Sequence, residues 1–217
     1  MHEVIKKALK ENRYPTEPEC RKVLEDYNIP VLKYKVAKSE DEAVKAAEEF
    51  GYPLVMKIIT AKGEHKTEKG GVVLDIRSKE ELIDSFRKLS QMSEYGVLIS
   101  PMVKGIELFV GAFQDEQFGG VVAFGTGGKF VEIYKDVSYR VTPIDREEAL
   151  RMIRETKVYR ILLGYRDEKP RDIEKIAELL VNLSRLVEEN PEIKEIDLNP
   201  TFSLPEGVFV ADARFIL

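Results

Sequence analysis

The sequence predicts an α+β fold in two lobes, and three observations lead to that prediction. The chain has 217 residues, which corresponds to one large domain or two small lobes at roughly 100–200 residues per domain. Its hydrophobic content of 43% is sufficient for a core that needs no disulfide or metal. Strand, helix and hairpin patterns follow one another without the regular strand–helix alternation that builds a parallel sheet.

Composition and charge exclude several classes of protein. The 34 basic and 39 acidic residues are interspersed, and this balance argues against a nucleic-acid-binding protein. Cys20 is the only cysteine, so no intrachain disulfide forms, as is usual in a reducing cytosol. No apolar run approaches the roughly 18 residues of a membrane span, and no signal-peptide core is present. We therefore expect a cytoplasmic protein, and the scarcity of Gln and Asn indicates a hot-living source.

Capping residues and hydrophobic spacing define the elements of the first half. Ser39 and Ser78 each precede a glutamate by three residues, and such capping boxes begin helices. Ile5 and Leu9 are four residues apart, which predicts that they share the buried face of the first helix. The predicted helices are 3–12, 18–28, 39–50 and 78–92, and the predicted strands are 31–36, 52–60, 72–76 and 96–100.

The second half is predicted to be mainly strands with two helices. Asp145 caps a short helix, and 172–189 has apolar residues at helical spacing. The predicted strands are 106–113 and 120–124, which form a hairpin, then 130–134, 138–142, 194–198 and 208–216.

Lys57 is the one charge in the apolar run 52–60. A lysine inside a buried strand must find an anion or send its head group to water. In a nucleotide-binding protein it would neutralise a phosphate. The alternative is a strand end at which the stem carries the ammonium to the solvent.

His65 lies in a polar, glycine-punctuated loop, next to Lys66. A histidine on such a loop can act as a nucleophile or a general base near neutral pH. The alternative is an ordinary exposed histidine without a chemical role. Gly70 and Gly71 would allow the backbone to approach a phosphate closely.

The carboxy-terminal strands carry a third candidate site. Glu195, Asp197 and Asn199 fall on one face of a strand, because alternate residues share a face. Asp212 lies in the following apolar strand, and a turn between two antiparallel strands would bring Asn199 and Asp212 together. Their oxygen ligands suit Mg²⁺, which shares phosphate oxygens and keeps waters. The alternative is a cross-strand polar pair with an ion pair between an aspartate and Arg214.

Two further groups of residues are weaker candidates. The strand that ends at Ser100, Pro101, Met102 and Val103 would leave backbone groups free to bind an adenine edge, and Glu107 would accept from ribose hydroxyls. The alternative is a plain hinge between lobes.

Gly127, Gly128, Glu132 and Arg140 surround a second glycine-rich turn, and they are either phosphate-side residues or ordinary hairpin residues. The sequence has no Walker A, GxGxxG, GxSxG, HExxH or CxxC motif, so the enzyme classes that depend on them are not supported.

Four motifs in a fixed order and spacing carry a resemblance to a known family. They are GYPLVMKIITAKGEHKTEKGGV, LISPMVKGIELFVGAFQDEQFG, FGTGGKFVEIYKDVSYRVTP and EIDLNPTFSLPEGVFVADARFIL. Together they closely resemble the β, ATP-grasp, subunit of the ADP-forming acetyl-CoA synthetases, the NDP-forming acyl-CoA synthetases of archaea. The resemblance covers about residues 15–217. The last motif is also similar to the β chain of succinyl-CoA synthetase.

The resemblance implies an ATP-grasp fold of two α+β lobes with the nucleotide between them. Residues 17–99 would form the small subdomain and 100–217 the carboxy-terminal subdomain, with 1–16 packed on the latter. Such enzymes convert acyl-CoA, ADP and phosphate into acid, CoA and ATP. A separate α subunit binds CoA and carries a first phosphohistidine, so an α2β2 hetero-oligomer is expected, with no nucleic-acid or membrane partner.

The resemblance also implies roles for individual residues. His65, in a motif similar to HKSDxGGV, would accept the phosphoryl group and pass it to ADP. Lys57 would hold nucleotide phosphates, Glu107 would bind ribose, and Asn199 and Asp212 would bind Mg²⁺. The contact near residue 100 must differ from that of succinyl-CoA synthetase, which has an acidic residue there.

Two other functions stay open at this point. One is an ATP-grasp acid–CoA ligase subunit of the succinyl-CoA synthetase type without a second phosphohistidine. The other is a non-catalytic nucleotide-binding assembly subunit.

Overall fold

The chain folds into two compact units. The computed structural model describes residues 1–62, 70–128, 136–166 and 169–217. The small unit comprises Thr16–Pro18 and Leu32–Val103. The large unit comprises Met1–Pro15, Glu19–Val31 and Lys104–Leu217.

Helices and strands alternate irregularly along the described chain, as an α+β protein requires. The helices are α1 (Glu3–Lys10), α2 (Glu17–Asp26), α3 (Glu40–Phe50), α4 (Lys79–Ser90), α5 (Arg146–Arg154), α6 (Val158–Leu162) and α7 (Ile173–Glu189). The strands are β1 (Lys35–Ala37), β2 (Leu54–Ile58), β3 (Val72–Ile76), β4 (Val97–Pro101), β5 (Ile106–Asp115), β6 (Gly119–Thr126), β7 (Val137–Val141), β8 (Glu195–Asp197), β9 (Thr201–Leu204), β10 (Gly207–Val210) and β11 (Arg214–Ile216).

The small unit is a four-stranded antiparallel sheet, in the order β1–β4–β2–β3, packed against α3 and α4. Both helices begin at the predicted serine caps, since the hydroxyls of Ser39 and Ser78 accept from backbone N–H groups three residues on. Apolar side chains of α4, among them Leu82 and Phe86, bury the inward face of β2 and β4. The helices cover one face of β2, and because all five residues of the strand are buried, its other face is shielded from water as well.

The large unit is built on a seven-stranded antiparallel sheet. Its main path runs β10–β9–β5–β6–β7, and β8 pairs with both β5 and β11. Helix α7 lays Leu180 and Leu183 into a core that also contains Val110, Val122 and Phe124 of the sheet.

Most of helix α2 belongs to the large unit, whereas the sequence analysis placed it in the small subdomain. The prediction placed residues 17–99 in one subdomain, whereas Glu19–Val31 falls in the large unit. The physical reason is the apolar face of α2, because Cys20, Val23 and Leu24 are fully buried in the core of the large unit. The division between units at the other end lies at Val103, close to the predicted residue 99.

Several local predictions were wrong. Leu9 is 42% exposed, and Ile5 shares the buried face of α1 with Ala8 instead. The predicted strand 31–36 is reduced to β1, and β9 and α6 were not predicted. The predicted strand 130–134 lies outside the described residues. In the part of the chain that the structure describes, no helix is both long and apolar enough to cross a membrane.

Candidate functional site

Lys57 is held inside the sheet of the small unit by a buried ion pair. It lies on β2, opposite Val72 of β3 and Leu98 of β4, and is only 7% exposed. Its Nζ lies 3.2 Å from Oε1 of Glu17, whose side chain is 1% exposed. A carboxylate this deeply buried needs a cation nearby, since desolvation of an unpaired charge is costly. The lysine stem therefore does not carry the ammonium out to bulk water.

Gly70 and Gly71 lie next to Lys57 across the β2–β3 pairing, because Val72, which follows them, pairs with Lys57. Gly71 precedes β3, and its carbonyl accepts from the amide of Ile58 at 2.9 Å. Gly70 has a φ of +68°, a conformation that favours glycine, and no atom lies within 4 Å of a Cβ built there. The neighbouring His65 and Lys66 lie outside the described residues.

The end of β4 is an extended strand, as predicted, but the backbone amide that follows Pro101 is not free, although the sequence analysis had expected free backbone groups there. Ser100 is buried and pairs with Val55, and Pro101 pairs with Leu54. The amide of Met102 donates to the carbonyl of Pro53 at 2.9 Å, which continues the pairing past the strand end. Val103 is half-buried and is the last residue of the small unit.

In the large unit, a glycine turn folds back over the start of β5. The amide of Gly127 donates to the carbonyl of Glu107 at 2.9 Å. A Cβ on Gly127 would lie 2.6 Å from the backbone of Leu108, and one on Gly128 would lie 3.1 Å from Oε2 of Glu107. Only glycine allows this approach. The turn therefore places an exposed carboxylate beside a close-packed backbone.

Two further residues, Glu132 and Arg140, were predicted to lie near this turn. Glu132 lies outside the described residues. Arg140 lies on β7, where it pairs with Val122, while Gly125 at the turn pairs with Val137. Its register position therefore lies several residues along the strand from the glycine turn.

Arg140 is instead tied to two carboxylates. Its Nη2 donates to Glu155 at 2.6 Å and its Nε donates to Glu148. The carboxylates of Glu155 and Glu148 raise the pKa of the Arg140 guanidinium above its ordinary value. Arg140 in turn lowers the pKa of both glutamates. The two ion pairs tie β7 to α5 and to the residue that caps its end.

The end of β6 is anchored by a buried carboxylate that the sequence analysis overlooked. Asp136 accepts from the hydroxyl of Thr126 and from the amides of Lys157 and Val158, the latter two at 2.8 and 3.2 Å. These bonds satisfy donors at the start of α6. They also fix the residue that precedes Gly127 and its turn.

Asn199 and Asp212 lie opposite each other in a long antiparallel hairpin. On one side of them Thr201 pairs with Val210, and on the other Asp197 pairs with Arg214. Between these pairs, the amide of Ala211 donates to the carbonyl of the residue after Asn199 at 3.0 Å. Counting inward from both pairs brings Asn199 and Asp212 into register, and both are half-buried.

The strand that carries Asn199 has a one-residue bulge against β5. Leu108 pairs with Thr201 and Gly111 pairs with Asp197, so two residues of β5 face three residues of the other strand. The amide of Leu198 donates to Val110 at 3.0 Å, which places the extra residue at Asn199–Pro200. Bulges re-aim side chains and are common beside functional sites.

The donor set at this position suits Mg²⁺. An amide oxygen and a carboxylate are hard oxygen ligands, and Mg²⁺ is usually held by one or two carboxylates together with waters and substrate phosphates. Among the described residues no group of three His, Cys, Asp or Glu side chains forms a metal cluster. Any metal bound by Asn199 and Asp212 would therefore need further ligands, which a nucleotide supplies.

Arg214 forms ion pairs with two carboxylates, those of Glu195 and Asp197. Nη2 of Arg214 lies 3.0 Å from Glu195 and 3.5 Å from Asp197. Asp197, two residues before Asn199, therefore forms an ion pair with Arg214 on the neighbouring strand. This arrangement assigns Asp197 to supporting the hairpin rather than to a site of its own.

Glu17 and Arg21 are two further buried charges that the sequence analysis missed. Arg21 is fully buried on α2, and its Nη2 donates to the carbonyl of Ala211 at 2.5 Å. Helical spacing was a usable signal, because Arg21 lies between the apolar positions Cys20 and Leu24 of α2. Glu17 gave no comparable signal, since it stands between two prolines in what was interpreted as a break.

Comparisons with known proteins agree over the whole chain. A family model described as an ATP-grasp domain matches residues 7–217. The β subunit of acetate–CoA ligase [ADP-forming] I of Pyrococcus furiosus is 48% identical, over 99% of this chain and 97% of that protein. Acetate–CoA ligase [ADP-forming] I of Archaeoglobus fulgidus is 43% identical over 99% of this chain, which matches 33% of that longer protein.

Solved structures give the same result. The dinucleotide-forming acetyl-coenzyme A synthetase 1 of Ca. Korarchaeum cryptofilum, in complex with coenzyme A, Ca-AMPCP and HgCl+, has a TM-score of 0.91 and 41% identity, and 99% of this chain matches 98% of that chain. A second complex of that synthetase has coenzyme A and Mg-AMPPCP, with a phosphohistidine segment pointing towards the nucleotide-binding site. It has a TM-score of 0.87 and 38% identity, and 99% of this chain matches 98% of that chain.

Proposed function

Because this chain belongs to the ATP-grasp family of ADP-forming acetate–CoA ligase β subunits, we propose that it catalyses the nucleotide half of that reaction. Acyl-CoA, ADP and phosphate become acid, CoA and ATP. The observation that carries the proposal is similarity across the whole chain, together with a buried lysine in one unit and paired oxygen ligands in the other. Acetyl-CoA is the acyl-CoA that the names of the relatives support.

Lys57 is proposed to neutralise nucleotide phosphate oxygens. Phosphoryl transfer depends on positioning and charge neutralisation more than on covalent chemistry by the protein. Burial strengthens the field of the ammonium, and Glu17 limits where it can move. Glu107 is proposed to accept from the ribose hydroxyls, which its exposed position beside Gly128 allows.

Asn199 and Asp212 are proposed to hold the Mg²⁺ of the nucleotide. A bound Mg²⁺ would neutralise charge on the phosphate oxygens during transfer. The two side chains would supply the oxygen ligands, and the hairpin register places Asn199 opposite Asp212. The Korarchaeum synthetase, with which the chain shares its fold, binds a magnesium nucleotide analogue.

His65 is proposed to relay the phosphoryl group covalently. A neutral ring nitrogen of His65 would bond to phosphorus as the N–P bond of the α-subunit phosphohistidine breaks. A terminal β-phosphate oxygen of ADP would then attack, breaking the new N–P bond and releasing neutral His65. The sequence motif around His65 and the phosphohistidine segment of the Korarchaeum synthetase support this assignment.

A CoA-binding α subunit is the proposed partner, in an α2β2 complex. The Pyrococcus relative is named as a β subunit, which supports a separate partner chain. The Archaeoglobus relative is about three times as long as the matched region, which supports a fused arrangement of the same parts in that protein.

The test is transfer of label from ATP to His65. The chain is incubated with Mg²⁺ and γ-labelled ATP, with and without the α subunit, and acid-labile label is located by peptide mapping. We expect label on His65, and we expect His65→Ala to abolish ATP formation while nucleotide affinity stays nearly unchanged. His2→Ala is the matched control, because His2 is the only other histidine.

Two results would contradict parts of this proposal. Full turnover by His65→Ala in the reconstituted complex would remove the histidine relay and favour a ligase without a second phosphohistidine. Nucleotide binding with neither label nor ATP formation in the reconstituted complex would favour a non-catalytic nucleotide-binding assembly subunit.

A further inference from the structure

Arg21 makes a hydrogen bond next to the proposed metal ligand Asp212. It is fully buried in the large unit, and its Nη2 donates to the carbonyl oxygen of Ala211 at 2.5 Å. Removing a guanidinium from water is costly, and charge-assisted hydrogen bonds are among the interactions that offset this cost. The hydrogen bond from the buried Arg21 guanidinium therefore restrains the carbonyl of Ala211.

The restrained carbonyl controls the backbone of Asp212. The C=O of Ala211 and the N–H of Asp212 belong to one peptide unit, which is planar. Holding the oxygen of Ala211 thus fixes the orientation of the peptide that leads into Asp212. The N–H of Ala211 is also held, because it donates to the carbonyl of Pro200 at 3.0 Å. Both backbone polar groups of the residue before Asp212 are therefore anchored.

The bulge explains why an added restraint is useful at this point. A bulge leaves the extra residue unpaired and disrupts the regular ladder locally. The extra residue of the bulge against β5 lies at Asn199–Pro200. Ala211 and Asp212 lie opposite these two residues in the hairpin. Arg21 supplies a contact from α2 where sheet pairing with β5 is interrupted.

We propose that Arg21 is a positioning residue for metal binding, which sets the direction of the Asp212 carboxylate through the carbonyl of Ala211. This inference rests on the proposed function, because it takes Asp212 to be a Mg²⁺ ligand. Mg²⁺ requires nearly ideal octahedral geometry, so a small rotation of one ligand lowers affinity. Residues that orient ligands typically change metal affinity by 10–100-fold when they are replaced.

The experiment measures metal binding directly in the reconstituted complex with ADP. Mn²⁺ is the probe, and the free Mn²⁺ signal in electron paramagnetic resonance gives its dissociation constant. The Mg²⁺ concentration for half-maximal ATP formation is measured in parallel. Arg21→Met removes the donor, while Arg21→Lys keeps a charged donor without the planar guanidinium. Arg13→Lys is the matched control, since Arg13 forms a bidentate ion pair with Glu19 in the same unit.

We expect Arg21→Met to raise the Mn²⁺ dissociation constant and the Mg²⁺ requirement by about tenfold or more, with Arg21→Lys intermediate. The KM for acetyl-CoA should not change, and Arg13→Lys should leave metal affinity at the wild-type value. If Arg21→Met does not fold, Arg21→Lys against Arg13→Lys decides the question on its own.

Two outcomes overturn the inference, and they are distinguishable through Asp212→Asn. If Asp212→Asn weakens Mn²⁺ binding but the folded Arg21 variants bind it as tightly as Arg13→Lys does, Arg21 is purely structural. If Asp212→Asn itself leaves Mn²⁺ binding unchanged, the metal role proposed for Asp212 fails, and the inference fails with it.

Discussion

The two units position their proposed nucleotide-binding groups by different physical means. In the small unit, Lys57 is placed by a side-chain ion pair with Glu17, and both side chains are nearly inaccessible to water. In the large unit, Asp212 is half-buried and is placed by hairpin register, a bulge and a fixed peptide group. Because Lys57 belongs to a buried ion pair, replacing it should lower the stability of the fold. Because Asp212 is placed by the backbone, replacing it should change ligand binding more than stability.

The largest expected effect is on stability in the small unit. Lys57→Met leaves the Glu17 carboxylate without this cation, and removing one member of a buried pair typically costs about 3–5 kcal/mol. Glu17→Leu should cost a similar amount, whereas the double variant should be less destabilised than the sum of the two. Chemical denaturation of the four proteins, analysed as a double-mutant cycle, measures this coupling.

The double-mutant cycle can also contradict the predicted coupling between Lys57 and Glu17. Additive costs in the two single variants would mean that Lys57 and Glu17 do not stabilise each other. The distinction between the two units would then disappear.

The next effect concerns backbone packing in the large unit. Gly127→Ala would bring a Cβ to 2.6 Å from the backbone of Leu108. Such overpacking typically costs about 1–3 kcal/mol in unfolding free energy. Gly119→Ala is the control, because Gly119 also lies in this unit but has nothing within 4 Å of a Cβ. The φ of +77° at Gly119 strains an alanine by about 1–2 kcal/mol even in open space. Gly127→Ala should cost more than this, and a loss no larger than that of Gly119→Ala would contradict the close approach.

Asp212→Asn should separate function from stability. The side chain is half-buried and keeps its shape, so we expect the unfolding free energy to change by less than about 1 kcal/mol. The loss of a charged ligand should lower Mg²⁺-dependent ATP formation by about a hundredfold. Thermal unfolding and a Mg²⁺ titration of the complex give the two values. A large loss of stability here would make the large unit resemble the small one.

The smallest effect is the pH dependence of the Arg140 ion pairs. The pKa values of Glu148 and Glu155 are lowered in the folded protein, with Arg140 as the main cause for each. Their stabilisation is therefore complete above the ordinary glutamate pKa and is lost as the pH falls through the lowered values. Arg140→Gln should differ from wild type in its denaturation midpoint at neutral pH and converge with it in acid. A difference that persists in acid would assign the effect to packing instead.

Local signals made much of the fold predictable. The capping serines Ser39 and Ser78 begin α3 and α4 as predicted, because a cap is a property of a few neighbouring residues. The α+β class and the ATP-grasp family are confirmed by the comparisons. The strand around Lys57 was correctly predicted to be buried, because its run of apolar residues leaves few exposed positions. The position of the Lys57 ammonium was left open between an anion and the solvent.

Features that depend on distant partners were not predictable. Glu17 is the partner of Lys57, yet 40 positions separate them in the chain, and no local pattern pairs them. Strand β9 was missed because its short run follows a proline and only pairing with β5 and β10 makes it a strand. The bulge at Asn199 is visible only when two registers are compared. The catalytic assignment of His65 stays a prediction.

The bulge also makes the lengths of two separate segments interdependent. Three residues lie between Asp197 and Thr201, and three lie between Val210 and Arg214, so the hairpin stays in register although β5 does not. Deleting one residue from the first segment would remove the irregularity against β5 but create a new one within the hairpin. Only a matching deletion in the second segment would restore both ladders. Insertions and deletions in these two segments should therefore be tolerated as pairs and selected against singly.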